Sequence, residues 1–516
     1  MIRRFTTLTA IVALTGCSLA PKYERPALPV PPSWPVGDAY LRTSEASLPS
    51  VRYQDIFRDP RLQAIIAQAL ANNRDLRIAA ANIAVARAQY RIQRAELLPE
   101  IDASAGATYR NSTATTVTTG TTTTGSTGST GSTGGTGSTG TTTGATTTTV
   151  NSGIRSAYNA QVGITAFEID LFGRIRSLTT AAQDRYFSTE AAVRATRLTL
   201  VGDIGDAWLQ YAADKSLLKI AQDTATSAAR SVDLTNKRLT GGIAPRTDLR
   251  QAQLVLETAN ADVAQQTTAV AQDVNALQLL VGAPVDAQLL PASIEEASAN
   301  LAELPAGFDS SILLRRPDVV EAEYTLRAYN AEIGAARAEL FPRITLTGLL
   351  GFASTALGSL FGGGAFNWQA GADASYPIFR AGAGRANVDV SKAQRDLALA
   401  TYEKTIQTAF EEVANALARR GTITAQVTAT RNLRNDAADN YALSDLRYRG
   451  GIDNFLQSLD AQRSLYSAER TLVTVQQTRA SNLVTLYRVL GGDAMLDATK
   501  GGPRPLSPEP ATTPSR

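Results

Sequence analysis

Arg238-Leu-Thr-Gly-Gly-Ile243 and Arg447-Tyr-Arg-Gly-Gly-Ile452 are two versions of one stretch, and each lies between long runs rich in Ala, Leu, Gln and charged residues. A Gly pair tolerates backbone angles closed to other residues, so helical sequence on both sides of it predicts two antiparallel helices joined at a sharp tip. The chain therefore carries two helical hairpins. Their register extends past the tips, because Gln253 and Gln462, Ala259 and Ala468, Leu277 and Leu486, and Gly282 and Gly491 keep the 209-residue spacing of Gly242 and Gly451. Upstream, Ala95-Glu-Leu-Leu-Pro-Glu-Ile101 returns as Ala338-Glu-Leu-Phe-Pro-Arg-Ile344, with Pro99 and Pro342 spaced by 243. The first copy is longer by roughly 34 residues, which a Thr/Gly tract after Asn111 supplies. A tandem duplication with one insertion accounts for the chain.

A duplicated unit of this size makes 516 residues one elongated body rather than several domains. The net charge of +3 gives no reason to expect nucleic acid. With no histidine and a single cysteine, most metal and acid–base chemistry is removed. No nucleophile, phosphate-loop or dinucleotide signature is present, so neither an enzyme nor a cofactor is expected.

The cysteine closes a targeting segment. Arg3 and Arg4 precede the apolar Ile11-Val-Ala-Leu14, which runs into Leu14-Thr-Gly-Cys17. Residues 1–16 read as a secretory signal and Cys17 as a lipobox cysteine, lipidated at the new N-terminus; the alternative is a chance cysteine after an ordinary signal. Acylation by more than one chain suffices for stable anchoring. Ser18, rather than Asp, resembles lipoproteins sent to the outer membrane. Residues 17–58, with Pro26, Pro29, Pro31, Pro32 and Pro35, read as an extended strap.

Asp59-Pro60 supplies an N-cap followed by a first-turn proline for a helix over 59–98 that Pro99 ends. The period then changes to two over 99–172: Ile101, Ala103, Ala105, Ala107 and Tyr109 mark one face of a strand, and Tyr158, Ala160, Val162, Ile164 and Ala166 one face of a second. Between them, 112–150 is Thr, Gly and Ser, a mobile loop by composition. The second half repeats the pattern over 342–379, with Ile344, Leu346, Gly348, Leu350 and Phe352, then Phe366, Trp368, Ala370, Ala372, Ala374 and Tyr376. Asn, Gln, Thr, Ser and Gly alternate with them. About ten residues per strand, one charge-free face and aromatics near its ends suit a tilted membrane-crossing strand; a soluble hairpin is the alternative. Four strands cannot close a barrel and open edges are not tolerated in lipid, so protomers must share one of eight, twelve or sixteen strands.

The first hairpin occupies 173–282 and the second 380–491, joined through a connection over 283–307 and a helix over 308–341. The tail, 492–516, is Pro-rich and expected to be disordered. A helix from Arg174 to Leu239 would run near 100 Å. Its return, Thr247 to Val281, is half as long, and stacking it with the helix of 309–340 recovers the height, as stacking 454–490 with 59–98 does in the second copy. The gaps fall halfway down, where extra sequence could form a belt. Leu249, Leu256, Val263, Val270 and Leu277 form a seven-residue repeat, matched by a near-heptad seam at Leu465, Tyr466, Leu472, Val473, Ala480 and Tyr487. Such a period means left-handed coiled packing. Coiled coils without a channel would explain these helices but not the strands.

Together these features resemble the outer-membrane factor (TolC-like) family, lipoprotein branch, over nearly all of 17–492. The motifs that carry the resemblance are Cys17-Ser-Leu-Ala-Pro-Lys-Tyr-Glu-Arg-Pro26, Leu314-Arg-Arg-Pro-Asp-Val319, and Leu459-Asp-Ala-Gln-Arg463 following Tyr448-Arg-Gly-Gly. The resemblance implies a fold that is mainly α with a membrane β-barrel: a homotrimer with a twelve-stranded barrel in outer-membrane lipid, continued by a twelve-rod α-helical periplasmic tunnel. Its tips would meet a periplasmic adaptor (membrane fusion protein) coupled to an inner-membrane pump of the RND type, and passage would be passive. It further implies a channel gate at Leu456 and Asp460, a tie from Tyr448 to Asp248, and adaptor docking at Gly241, Gly242, Ile243, Gly450, Gly451 and Ile452. One branch adds a basic residue to the tie where this chain has Asp453. Leu314-Arg-Arg-Pro-Asp-Val319 reads as structural, as do Trp34 and Trp208. The expected function is a duct exporting drugs or other small molecules; the same duct in type I protein secretion, or a lipoprotein scaffold or adhesin, are the alternatives.

Overall fold

The computed structural model describes residues 18–37, 39–40, 52–112, 117–118, 147–148, 153–303, 309–496, 498–499 and 502–503. The expected signal, Cys17, nearly all of the Thr/Gly tract and most of the tail lie outside them. The chain divides into two compact units, one of Met1–Arg94, Phe172–Leu340 and Arg380–Arg516, the other of Ala95–Leu171 and Phe341–Phe379.

The smaller unit is an antiparallel sheet of β1 (Asp102–Ser112), β2 (Gly153–Glu168), β3 (Arg343–Ser354) and β4 (Phe366–Ser375), paired in that order. Its register aligns the faces read from the alternation. Ala103, Val162, Leu350 and Trp368 form one row across the sheet, and Ala105, Ala160, Phe352 and Phe366 the next. On the opposite face Ser104, Gln161, Gly351 and Asn367 form a row, and Leu349 is an apolar exception opposite Gln369. One expectation fails at the end of β2. A bulge between Ile164 and Phe167 shifts the register, so Phe167, not Ala166, pairs with Leu346 and joins the apolar rows.

The larger unit is built from helices. The helix expected over 59–98 is two, α1 (Pro60–Asn72) and α2 (Arg74–Ala95). Asp59 caps α1 as expected, its carboxylate accepting from Arg61 N at 2.9 Å. The break comes at Asn73, whose Nδ2 donates to Leu280 O at 2.8 Å while its Oδ1 accepts from Leu76 N at 2.9 Å. A side chain that offers the backbone another partner ends one helix and caps the next. The first hairpin is α3 (Arg174–Thr240, 67 residues) and α4 (Arg246–Val281, 36 residues). A short α5 (Ile294–Ala299) lies in the connection, followed by α6 (Pro317–Ala338). The second hairpin is α7 (Ala383–Arg449, 67 residues) and α8 (Phe455–Val489, 35 residues). The α6 helix starts later than expected, because Arg316, held extended before Pro317, divides it from the 3₁₀ turns of Ser310–Arg315.

The stacking of the short helices also differs from expectation. The α4 helix ends against α1 and α2, with Gly282 closed upon Asn72, and α8 ends against α6, with Arg316 Nη1 donating to Val489 O at 2.6 Å. Both α8 and α6 pack between the two long helices, whereas α4 and α1 share the other flank of α3. The return helix of each hairpin thus stacks on the helix that precedes its own long partner in the chain. Along α4 the buried residues are Ala252, Ala259, Gln266, Leu277 and Val281; the first three are themselves a seven-residue repeat, and of the predicted seam Leu277 is fully buried while Leu249, Leu256, Val263 and Val270 are half-buried.

The core holds Trp208, Phe57, Tyr487, Leu62, Ile65 and Ile66. Trp208 donates to Leu289 O at 3.2 Å and Trp34 stacks on Phe410 at 4.3 Å, so both tryptophans pack as expected. The strap is extended and runs antiparallel to α6: Leu19 O accepts from Arg337, Pro21 O from Asn330, and Pro32 O from Ser310 N. Between these, Arg25 grips Glu323 with both carboxylate oxygens engaged, at 2.8 and 2.7 Å, and Tyr23 donates to the same carboxylate at 2.9 Å. Glu323 is fully buried, so its charge depends on the strap. Arg25→Ala should lower the unfolding free energy by about 3–5 kcal/mol, and Arg25→Met with Glu323→Leu should recover most of it, as measured by denaturant unfolding of the purified protein.

Candidate functional site

The two tips close in the same way. Gly242 and Gly451 have φ of 70° and 74°, which only glycine adopts freely. Ile243 N donates to Arg238 O and Gly242 N to Leu239 O, and in the second tip Ile452 N donates to Arg447 O and Gly451 N to Tyr448 O. These are paired Schellman closures that satisfy the last carbonyls of α3 and α7. Gly241 and Gly450 are different: with φ of −77° and −73° their backbone suits any residue. Of each pair, the turn demands only the second glycine. Ile243 and Ile452 stand out into solvent, 80% and 69% exposed.

Tyr448 is buried at the junction of the tips, packed on Phe455 and beside Ala252. Its hydroxyl does not meet Asp248. It lies 3.3 Å from Thr235 Oγ1 on α3, and Asp248 sits in the first turn of α4, where its N–H donates to Pro245 O. Arg238 reaches over the ring, its guanidinium carbon 4.3 Å from the centroid, and donates to Tyr448 O at 3.0 Å and Arg449 O at 3.2 Å. A cation there meets a π face and the carbonyl end of α7 together. The tie between hairpins is therefore Arg238 and Thr235 to Tyr448.

A tyrosine–aspartate–arginine tie does exist, further from the tips. Tyr466 on α8 donates to Asp262 Oδ2 on α4 at 2.5 Å, and Arg470 approaches the same oxygen at 3.6 Å. Burial, then the Asp262 hydrogen bond, push the Tyr466 hydroxyl well above the ordinary phenol range. Asp453, standing where a basic residue joins the tie in one branch, is held by Arg447 of its own tip at 2.6 and 2.9 Å. That hydrogen bond holds its carboxyl below the usual range.

Leu456 and Asp460 are one turn apart on α8 and both exposed, while Ser458, Leu459, Ala461 and Gln462 are buried on the face toward the bundle. The two predicted gate residues thus share an outward face. Sequence reasoning missed Thr235, Arg238, Asp262, Tyr466 and Arg470. For Arg238 a signal was available, since it stands in the last helical turn at the place Arg447 takes in the second copy. Tyr466 was read as a seam residue and carried no mark of a partner on another helix. Among the described residues no cluster suits a metal ion.

The chain's residues 65–283 and 310–492 match the family model described as outer membrane efflux protein. It is 42% identical over 487 residues to the probable efflux pump outer membrane protein TtgC of Pseudomonas putida, covering 94% of each chain. It is also 37% identical over 490 residues to outer membrane protein OprJ of Pseudomonas aeruginosa, covering 95% of this chain and 96% of that one. Its fold is similar to the open state of the Neisseria gonorrhoeae MtrE outer membrane channel, with a TM-score of 0.75, 32% identity and coverage of 93% and 99%. With the family model spanning both copies of the repeat, and the fold shared with an outer membrane channel, the chain belongs to the outer membrane efflux protein family.

Proposed function

We propose that three copies of this chain close a twelve-stranded barrel in the outer membrane, continued by α-helical rods, and that the assembly is a passive export duct for small molecules. The observation that carries this is the sheet: a charge-free face runs across all four strands, with Phe366 57% and Trp368 69% exposed, and the other face is polar. Lipid accounts for the first face and a watery lumen for the second. No helix among the described residues is long and apolar enough to cross a membrane, so crossing falls to the strands. The flanks of the helical unit support neighbours of the same kind. Ile78, Val85 and Ile92 make an exposed seven-residue stripe on α2, and Val390 and Leu397 make another on α7. Lipidation of Cys17 would fix the strap to the membrane.

The tips are the adaptor's docking surface in this reading. Gly241 and Gly450 are small where the turn does not require it, and the exposed Ile243 and Ile452 beside them offer apolar contact to a partner helix. The partners are a periplasmic adaptor and, through it, an inner-membrane pump of the RND type. The name of the TtgC relative, an efflux pump protein, favours this pump over protein secretion. Three copies of Asp460 around one axis would repel each other and concentrate cations, with Leu456 as an apolar constriction one turn away.

In planar bilayers the purified protein should conduct as a heat-modifiable trimer, and a stable monomer without conductance would overturn the proposal. Asp460→Asn should lower cation over anion preference several-fold, read from reversal potentials in a salt gradient. Charge-assisted hydrogen bonds contribute about 1.5–3 kcal/mol each. Arg238→Ala with Tyr466→Phe should therefore raise the open population tenfold or more and the mean conductance with it; unchanged conductance would remove both ties from the gate.

A further inference from the structure

A cleft of about 470 Å³ opens between α6 and α7, with Asp318, Glu321, Thr325 and Tyr329 of α6 and Gln394 and Thr401 of α7 in its lining. It lies on the side of α6 turned away from the strap. Glu323, Asn330 and Arg337, which hold the strap, recur along one face of the helix, and at about 100° per residue Glu321 and Thr325 fall on the opposite one. The charges of the cleft are unbalanced. Both oxygens of Asp318 are taken by Arg316, at 3.0 and 2.7 Å, whereas the half-buried Glu321 carboxylate has no hydrogen-bond or ion-pair partner among the described residues. Arg316 also holds Glu412, Arg185 holds Glu332 and Arg395 holds Asp396, and the exposed Lys404 makes no pair with Glu321. Burial, then the charge of Asp318, push the Glu321 carboxyl above its ordinary range, as befits a carboxylate short of a counter-charge. Packing does not demand an acid there: the 243-residue offset of the duplication pairs Glu321 with Ile78 and Tyr329 with Ala86.

We propose that this cleft binds a small organic cation, a protonated or quaternary amine, with Glu321 as its counter-ion. One unpaired carboxylate matches one positive charge. A divalent metal ion would need several oxygen ligands, and Asp318 has none to spare. The volume is that of a pocket for a drug-sized ligand, and Ala322, Leu397 and Ala398 add apolar wall beside Tyr329 for the carbon skeleton. The hydroxyls of Thr325 and Thr401 and the amide oxygen of Gln394 are acceptors for an ammonium N–H. The role of the site in transport rests on the duct reading. In a closed ring of such layers the strap has room only outside, so the opposite face lines the lumen, and amine-bearing cargo pauses there at three such clefts.

Calorimetric titration of the assembled full-length protein with probes of similar shape and different charge tests this. Phenethylammonium should bind at least about tenfold more tightly than the neutral phenethyl alcohol, the factor that one charge-assisted contact gives, and the anion hydrocinnamate should not bind. In Glu321→Gln the amine should weaken to the level of the alcohol, while Glu257→Gln, at an exposed acid on α4, leaves amine binding as in the wild type. The comparison of amine with alcohol needs no variant, so it decides whether or not Glu321→Gln folds. The proposal is overturned by equal binding of amine and alcohol, or by amine binding that survives undiminished in Glu321→Gln. Conductance reads the duct and calorimetry the cleft: a trimer that conducts yet binds amine and alcohol alike loses the cleft alone.

Discussion

Every free edge of a sheet in lipid leaves N–H and C=O groups with nothing to bond, and each such group costs several kcal/mol in hydrocarbon. Here β1 pairs with β2 alone and β4 with β3 alone, while the face they share is apolar across its width. Those facts together leave one kind of solution. The edges are not alike, so a copy can add only head to tail, β1 against β4, and an arrangement of that type either closes into a ring or grows without limit. The helical unit has the same order within itself: α1 and α4 on one flank, with α2 following α1 along α3, where Arg87 and Tyr90 meet Tyr186, then α3, then α6 and α8, then α7. It too begins and ends on unlike flanks, each with an exposed apolar stripe. Both units are thus built to be met by the opposite side of the same chain.

Duplication gives the helical unit its economy. Each long helix spans both halves of the layer, and the short helices fill it in pairs, α4 with α1 and α8 with α6. The joints between stacked helices are where polar groups gather. Asn73 caps across the first joint, and Arg316 bonds Val489 O, Asp318 and Glu412 at the second. A broken helix leaves carbonyls and N–H groups that need partners, and these side chains supply them. Leu314-Arg-Arg-Pro-Asp-Val319 is therefore structural, as its proline suggested, but its arginine does more than start a helix: it closes the joint.

Much of this was legible because strands and hairpins announce themselves by period. The alternation of Ala103, Ala105, Val162, Leu350 and Trp368 predicts a shared face, and the register delivers it. The bulge after Ile164 was not legible, since Thr165 and Ala166 carry no chemical mark of a lost pairing. Nor was the stacking order, because helix lengths alone fit either pairing and only the side chains at the joints decide. At the tips the kind of tie was readable but not its atoms. Tyr448 is where a tie would be expected, yet which of Thr235, Arg238 and Asp248 it meets depends on a fraction of a helical turn between hairpins.

The ties between the hairpins are few, and their number matters more than their strength. Among the described residues, Arg238 and Thr235 with Tyr448, Ser227 with Tyr441, and Tyr466 with Asp262 are polar links that cross from one hairpin to the other toward the tips, whereas the two helices of each hairpin pack together along their length. A motion that separates the tips breaks these bonds and opens the small cluster of Ala252, Tyr448, Phe455 and Leu459, while one that splits a hairpin must expose the longer column buried within it. The cheaper motion is a rigid swing of one hairpin against the other. A partner seated on Gly241, Ile243, Gly450 and Ile452 touches both tips at once, so any preference it has for their spacing acts directly on that swing.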